Sequence, residues 1–377
     1  MIVSNIKNKV FKGETLGVYF GTFAPFHLGH YQSVMKAKKE NDACLVIVSG
    51  HDNDRGSDIG LGLQKRFRYT RELFADDENV LVEQYDESHI ARYPDGWNDW
   101  FEGVLNLVQA HTQALPGVKV KWYVGEPDYA STLTNDYKQE AVLISRDGLS
   151  ISGTQIRQSP LEYWNYITRP FRRHFSTNIL ITGTASGGKT TLVKDLARSF
   201  GSPFALEYAR EYQETSNVRD EELKANDFTY LASGMFDSNR KTIQSPSNNG
   251  LFFADSNVLT TLAYSELYLS SEEHAKLLPS YELMLEKEQW DLILIVPPVT
   301  PYVDDGFRDM TQSDTETRWA MHERFLSLLD KYGWSDKVYV LGAEGSSEDK
   351  HGFYARYDQS RTIIKDYVQN TQFVLLP

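Results

Sequence analysis

The chain has 377 residues, more than one core holds at roughly 100 to 200 residues per domain, so two domains are expected. At 41% hydrophobic, 24% charged and 13% aromatic, with 25 glycines and 13 prolines, the composition excludes a disordered or fibrous chain. Against 39 basic residues stand 52 acidic ones, a formal net charge of −13, so no global field draws the molecule onto an anionic membrane, and no nucleic-acid partner is expected. The single cysteine, Cys44, can form neither an internal disulfide nor a cysteine-based metal site, and reads as a small buried hydrophobe in a reduced chain. The opening MIVSNIKNKVFKGE has no signal-peptide pattern and no uncharged apolar stretch reaches roughly 18 residues, so a cytoplasmic location is expected.

Short apolar runs alternate with longer amphipathic stretches, the pattern of α/β units with mostly parallel sheets, and they do so twice. The first series has strand-like runs at Leu16–Phe20, Ala43–Val48, Asn79–Gln84, Val118–Val124 and Ala141–Ile144, with the clearest helical stretch from about Asp99 to Ala114. Its first run leads into G-x-F-x-P-x-H-x-G-H, in which Gly21, Thr22 and Phe23 offer a backbone cradle and His27 and His30 stand at the start of a helix. Two imidazoles at that position, where N–H donors and the helix dipole favour anions, suit phosphate, and Gly29 is expected to let a ligand come close. Zinc is a poor reading, since no third ligand stands at metal spacing. A second clamp follows the run at 141–144: Ser152, Thr154 and Arg157 put two hydroxyls and a guanidinium within one turn at a helix start. As a plain helix cap the segment would need Ser152 only.

The basic segment 168–177, with one proline, reads as a solvated linker, giving domains 1–170 and 171–377. The second series runs through Asn178–Thr182, Pro203–Leu206, Leu251–Ala254, Leu292–Val296 and Lys337–Leu341. Between its first strand and first helix lies G-x-x-x-x-G-K-T, with Gly183, Ser186, Gly187, Gly188, Lys189, Thr190 and then Thr191, a loop whose N–H groups can surround a triphosphate. Lys189 would reach the β/γ-phosphates and the Thr190 hydroxyl would bind Mg²⁺. Asp255, ending an apolar run, suits a carboxylate near that metal, and Glu207, after the second run, could take a proton from an acceptor hydroxyl. The proline- and glycine-rich loop from Pro297 carries Asp304, Asp305 and Arg308 and resembles a lid that closes over phosphate, with Arg318 a weaker candidate. N-K-x-D is absent, which favours a nucleoside or nucleotide kinase over a GTPase.

On these motifs the first half resembles the H-x-G-H nucleotidyltransferases, and within them the nicotinamide mononucleotide adenylyltransferases. The second half resembles ribosylnicotinamide kinases, and the two in this order resemble the bifunctional NadR-type family over nearly the whole chain. The resemblance implies a Rossmann-like nucleotidyltransferase domain followed by a P-loop nucleoside-kinase-like α/β domain. It further implies ATP as co-substrate, Mg²⁺, and two reactions in series: nicotinamide riboside to nicotinamide mononucleotide, then to NAD with release of pyrophosphate. His27, His30, Thr154 and Arg157 would neutralise the triphosphate, Lys189 and Arg308 would serve the kinase, and either Glu207 or Asp255 would be its base. Gly125 and Glu126, Tyr212, and Asp304 and Asp305 carry over as substrate contacts. Trp97 or Trp100 could stack on the nicotinamide ring, with core packing an equal alternative. Family members with a helix-turn-helix domain carry it at the N-terminus, where only about 15 residues precede the first strand here, so DNA-binding repression is not expected. The alternative is a ribosylnicotinamide kinase whose first domain senses nucleotides or regulates a nicotinamide riboside transporter.

Overall fold

Residues 43–50, ACLVIVSG, are buried at every position, without the alternation of a half-exposed strand, because they form an inner strand of a parallel sheet covered on both faces. A computed structural model describes residues 9–144, 149–342 and 345–374 of the chain, so the first eight residues of the opening segment lie outside the described residues. Two compact units meet between His174 and Phe175.

The first unit holds strands β1 (Thr15–Gly21), β2 (Ala43–Gly50), β3 (Val80–Asp86), β4 (Lys119–Val124) and β5 (Glu140–Leu143), in the order β3-β2-β1-β4-β5. All neighbours pair in parallel. Its helices are α1 (Leu28–Glu40), α2 (Leu63–Leu73), α3 (Trp97–Thr112), α4 (Pro127–Asn135), α5 (Gly153–Gln158) and α6 (Arg169–Phe175). Helix α3 buries Trp100, Phe101, Val104 and Val108, the spacing of one helical face, against Leu45, Ile47 and Trp122 of the sheet. Chain order reverses between β1 and β4, which opens a crevice at their carboxyl ends.

The second unit repeats the plan with β6 (Thr177–Gly183), β7 (Phe204–Ala205), β8 (Leu251–Asp255), β9 (Leu292–Val296) and β10 (Val338–Val340), ordered β10-β9-β6-β8-β7 and parallel throughout. Around it lie α7 (Lys189–Phe200), α8 (Tyr208–Ser216), α9 (Ala225–Ile243), α10 (Val258–Tyr268), α11 (Ser271–Leu285), α12 (Thr315–Lys331) and α13 (Phe353–Val374). Its core is centred on Phe252, Ile293, Ile295, Leu259 and Phe325.

One expectation is corrected. The basic segment 168–177 is not a solvated linker. Helix α6 buries Pro170 and Phe171, the Phe171 ring lies 5.3 Å from Tyr69, and Arg172 and Arg173 stack over Trp164 and Tyr69. Arg173 also pairs with Glu72. The arginines belong there because their flat cations cover aromatic surface while keeping hydrogen-bonding edges free.

Candidate functional site

At the carboxyl ends of β1 and β4 the first unit holds a cavity of about 770 Å³. Its walls include Gly21, Thr22, Phe23, His27, His30, Trp97, Trp100, Gly125, Glu126, Ser152, Thr154 and Arg157, so the structure brings the two motifs and the aromatic and 125–126 segments to one place. His27 caps α1 and is 5% exposed; His30 lies in its first turn, and the two rings stack with centroids 3.6 Å apart. His30 Nδ1 accepts the His27 backbone N–H at 3.3 Å, which leaves Nε2 to carry the proton in the neutral ring. The His27 ring lies 3.1 Å from where a Cβ on Gly29 would stand, and Gly29 itself lines the cavity.

The second clamp divides in two. Ser152 Oγ accepts the Gln155 N–H at 3.2 Å in a reciprocal capping box, so this hydroxyl starts α5. Arg157 donates to Ala24 O at 2.7 Å and to Thr154 Oγ1 at 3.0 Å, tying α5 to the loop after β1. Its pKa lies below the ordinary guanidinium value, first because burial strips it of water and then because Arg55 adds like charge. Arg55 also lines the cavity and donates to Thr22 Oγ1 at 3.3 Å. Sequence reasoning missed it, since nothing in the stretch His51-Asp-Asn-Asp-Arg55 marks it apart from a polar loop.

Another part of the lining is aromatic and acidic. Trp97 and Trp100 stack at 5.0 Å, and Tyr129 lies 5.0 Å from Trp97 and 5.4 Å from Tyr93. Trp100 is 7% exposed and donates Nε1–H to Ser49 Oγ at 3.1 Å, which in turn donates to Glu87. Trp100 therefore both packs the core and lines the cavity, while Trp97 is half-buried. Burial raises the Tyr129 pKa, and Tyr93, Glu126 and Glu87 raise it further. The cavity lining thus combines histidines and arginines with an aromatic and acidic part suited to a flat cation.

In the second unit β6 ends at Gly183, whose φ of +133° and whose approach to Val296 O, 2.6 Å from a would-be Cβ, admit glycine only. The loop through Ser186, Gly187 and Gly188 then enters α7, where Lys189 is 7% exposed and donates to Thr184 O at 2.9 Å. Thr190 Oγ1 donates to Asp255 Oδ2. Asp255 is fully buried at the end of β8, and its pKa is pushed up by burial first and by the Glu207 charge second, with Lys189 opposing. Glu207 is the cap residue of α8, and Thr191 is exposed on α7.

The loop after β9 lies over the phosphate loop. Arg308 Nη1 donates to Ser186 Oγ at 2.7 Å, the Val303 N–H reaches the same oxygen at 3.0 Å, and Thr300 Oγ1 donates to Ser186 O. Arg318, the weaker candidate, is 6% exposed and donates to Thr300 O at 2.6 Å and Ala185 O at 3.4 Å, so both arginines border the loop. Asp305 pairs with Arg308 and with Arg210, whereas Asp304 accepts the Gly306 N–H and shapes a turn. The Tyr212 phenol donates to Asp227 at 2.6 Å and packs with Tyr208 and Tyr230, which accounts for it structurally. Sequence reasoning missed Asp220, which accepts the Asp309 N–H at 3.1 Å and whose pKa is raised by burial, then by Glu207 and Asp305.

A Cytidylyltransferase-like family model matches residues 18–182 and an AAA domain model matches 178–349. The "Trifunctional NAD biosynthesis/regulator protein NadR" of Salmonella typhimurium and that of Escherichia coli are each 30% identical to this chain over 312 residues, 80% of this chain and 73% of theirs. A crystal structure of NadR protein in complex with NR is 40% identical and superposes with a TM-score of 0.86 over 96% of this chain and 98% of its own. Another, in complex with NAD and AMP-PNP, is 39% identical with a TM-score of 0.82 over 95% and 97%. With two relatives at this identity over most of their length, and a shared fold along nearly the whole chain, the protein belongs to the NadR family.

Proposed function

We propose that the two units divide the work of a bifunctional NAD salvage enzyme: the second phosphorylates nicotinamide riboside with ATP, and the first joins the resulting mononucleotide to the adenylyl group of a second ATP. What supports this reading is that one chain holds both a cavity lined by cationic and aromatic side chains and a phosphate loop whose Thr190 donates to Asp255.

In the first unit a phosphate oxygen of the mononucleotide attacks the α-phosphorus of ATP. One P–O bond forms, the α–β bridge breaks, and pyrophosphate leaves with the electron pair. The substrate supplies the nucleophile, so the protein aligns and neutralises. His30 Nε2–H, His27 and the Arg157 and Arg55 guanidiniums supply donors to the phosphates, and Trp97 offers a face to the pyridinium, with Glu87 and Glu126 also in the lining. In the second unit the 5′-hydroxyl of the riboside attacks the γ-phosphorus and ADP leaves. Glu207 takes the hydroxyl proton, Lys189 turns from Thr184 O to the phosphates, and Arg308 and Arg318 hold the transferring group away from water.

Among the described residues no group of three or more acidic, His or Cys side chains could cage a metal, but a buried carboxylate hydrogen-bonded to a hydroxyl suits Mg²⁺, which takes few protein oxygens beside phosphates and water. Thr190 and Asp255 would hold it, and it would neutralise phosphate charge. No described helix is long and apolar enough to cross a membrane. A cytoplasmic site, and a link to a riboside transporter whose cargo the kinase traps as a charged phosphate, belong to the same reading.

Product analysis tests it. Purified chain with ATP and Mg²⁺ is expected to make NAD from riboside and from mononucleotide alike. Lys189→Ala should block only the riboside route, and His30→Ala should lower NAD from both. Mononucleotide accumulating without NAD would leave a kinase joined to a sensor, and no turnover would overturn the reading.

A further inference from the structure

Helix α2 carries an arginine that never reaches the surface: Arg66 is fully buried. A guanidinium does not give up its charge, so burial requires partners. The loop between β2 and α2 supplies them. Arg66 Nη1 and Nη2 donate to Asp54 Oδ1 at 2.9 Å and Oδ2 at 2.6 Å, and Nη1 also donates to Leu61 O at 2.7 Å. Asp54 Oδ1 accepts in turn the backbone N–H groups of Gly56 at 2.8 Å and Ser57 at 3.0 Å. A Cβ at Gly50 or Gly56 would overlap the guanidinium, so the backbone wraps it closely on both sides.

Between Asp54 and Gly56, both held by this hub, stands Arg55. Its side chain leaves the hub for the cavity and meets Thr22 Oγ1 in the loop after β1. A buried ion pair is weak evidence for stability, because apolar residues of like volume often replace one without loss. What apolar residues could not do is fix two backbone N–H groups through a carboxylate and so aim the residue between them. A long side chain on a polar loop loses affinity to ordering, and a loop ordered beforehand avoids that loss.

We propose that Arg66 is a positioning residue for adenylyl transfer, acting through Asp54 to hold Arg55 in the cavity wall beside Thr22, where it can meet phosphate; this rests on the reading of that cavity as the adenylyl-transfer site. Four full-length chains test it: wild type, Arg55→Ala, the pair replacement Asp54→Leu with Arg66→Met, and the three changes together. Each is assayed for kcat and KM with nicotinamide mononucleotide and with ATP, and riboside phosphorylation in the same preparation standardises the amount of chain. Arg55→Ala and the pair replacement are expected to raise the KM of the same nucleotide by about tenfold to a hundredfold, the size of a lost charge-assisted hydrogen bond, and the triple variant to be no worse than Arg55→Ala. Should the pair replacement unfold the first unit, Arg66→Lys, which keeps the charge and loses the fork, is scored in the same way. Wild-type KM values in the replaced chain, a fall in kcat alone, or losses that multiply in the triple variant would each overturn the proposal. A wild-type chain that makes no NAD from mononucleotide overturns the site reading and the proposal together, a different pattern from the other three.

Discussion

Asp255 carries two opposed demands. Burial at the end of β8 disfavours its charge, and Glu207 adds repulsion, yet the kinase role proposed for it needs that charge beside Thr190. Asp255→Asn keeps the shape and the acceptor for the Thr190 hydroxyl while removing the charge. Its expected effects therefore diverge: riboside phosphorylation falls about a hundredfold or more, the size of lost metal-centred stabilisation, while the unliganded chain at pH 8 melts higher. Adenylyl transfer from mononucleotide should be untouched. Product assays and calorimetry read the two effects, and a variant that keeps its kinase rate would remove Asp255 from the site. Residues of this kind were legible because their chemistry is local: Lys189, Thr190, His27 and His30 belong to contiguous turns whose backbone and side chains make one device. Arg55, Glu87 and Asp220 were not, because each sits in a polar stretch like any surface loop and meets its partner far along the chain, and Arg66 was not because the charged sequence of α2 gives no sign of its burial.

At the scale of elements, the strands were read almost to their ends because inner parallel strands are buried at every position and so nearly continuous in apolar residues, as β2, β8 and β9 are. Helix α6 was misread because its arginines look solvated until Trp164 and Tyr69 are placed beneath them. The same blindness hid Glu288, in the charged run Glu286-Lys-Glu288 between α11 and β9. Its carboxylate accepts Asn257 Nδ2 at 2.6 Å, Trp290 Nε1 at 3.0 Å and the Val258 N–H at 3.3 Å, fixing the start of α10. Burial pushes its pKa up to about 7 from an ordinary 4.5, although the three donors pull it down. Between those values the native carboxyl keeps a proton that the unfolded chain has released, so stability from this group falls as pH rises from about 4.5 and is fully lost above about 7. The difference amounts to about 3 kcal/mol. Glu288→Gln, permanently neutral, should escape it. The melting temperature of the variant relative to wild type is expected to climb between pH 5 and pH 8, and parallel curves would show that the carboxylate is not the cause.

The whole molecule is two parallel sheets, each with its own core and each with candidate residues at the carboxyl ends of its strands. Among the described residues, those lining the cavity all precede His174, and the phosphate loop, Asp255, Glu207 and the loop bearing Arg308 all follow Phe175. Chemistry that is complete within a unit should survive separation of the two activities onto different molecules. A chain with Lys189→Ala keeps the first unit and loses the phosphate-loop lysine, and a chain with His30→Ala does the reverse. Alone, each should make little NAD from nicotinamide riboside. Mixed with ATP and Mg²⁺, the His30→Ala chain supplies mononucleotide, which passes through solution to the Lys189→Ala chain, so NAD should appear after a lag that shortens as either partner is raised. A mixture that stays silent while each chain still performs its one remaining reaction would mean that mononucleotide does not leave the molecule that makes it, and the two steps would then have to be read as a single coupled process.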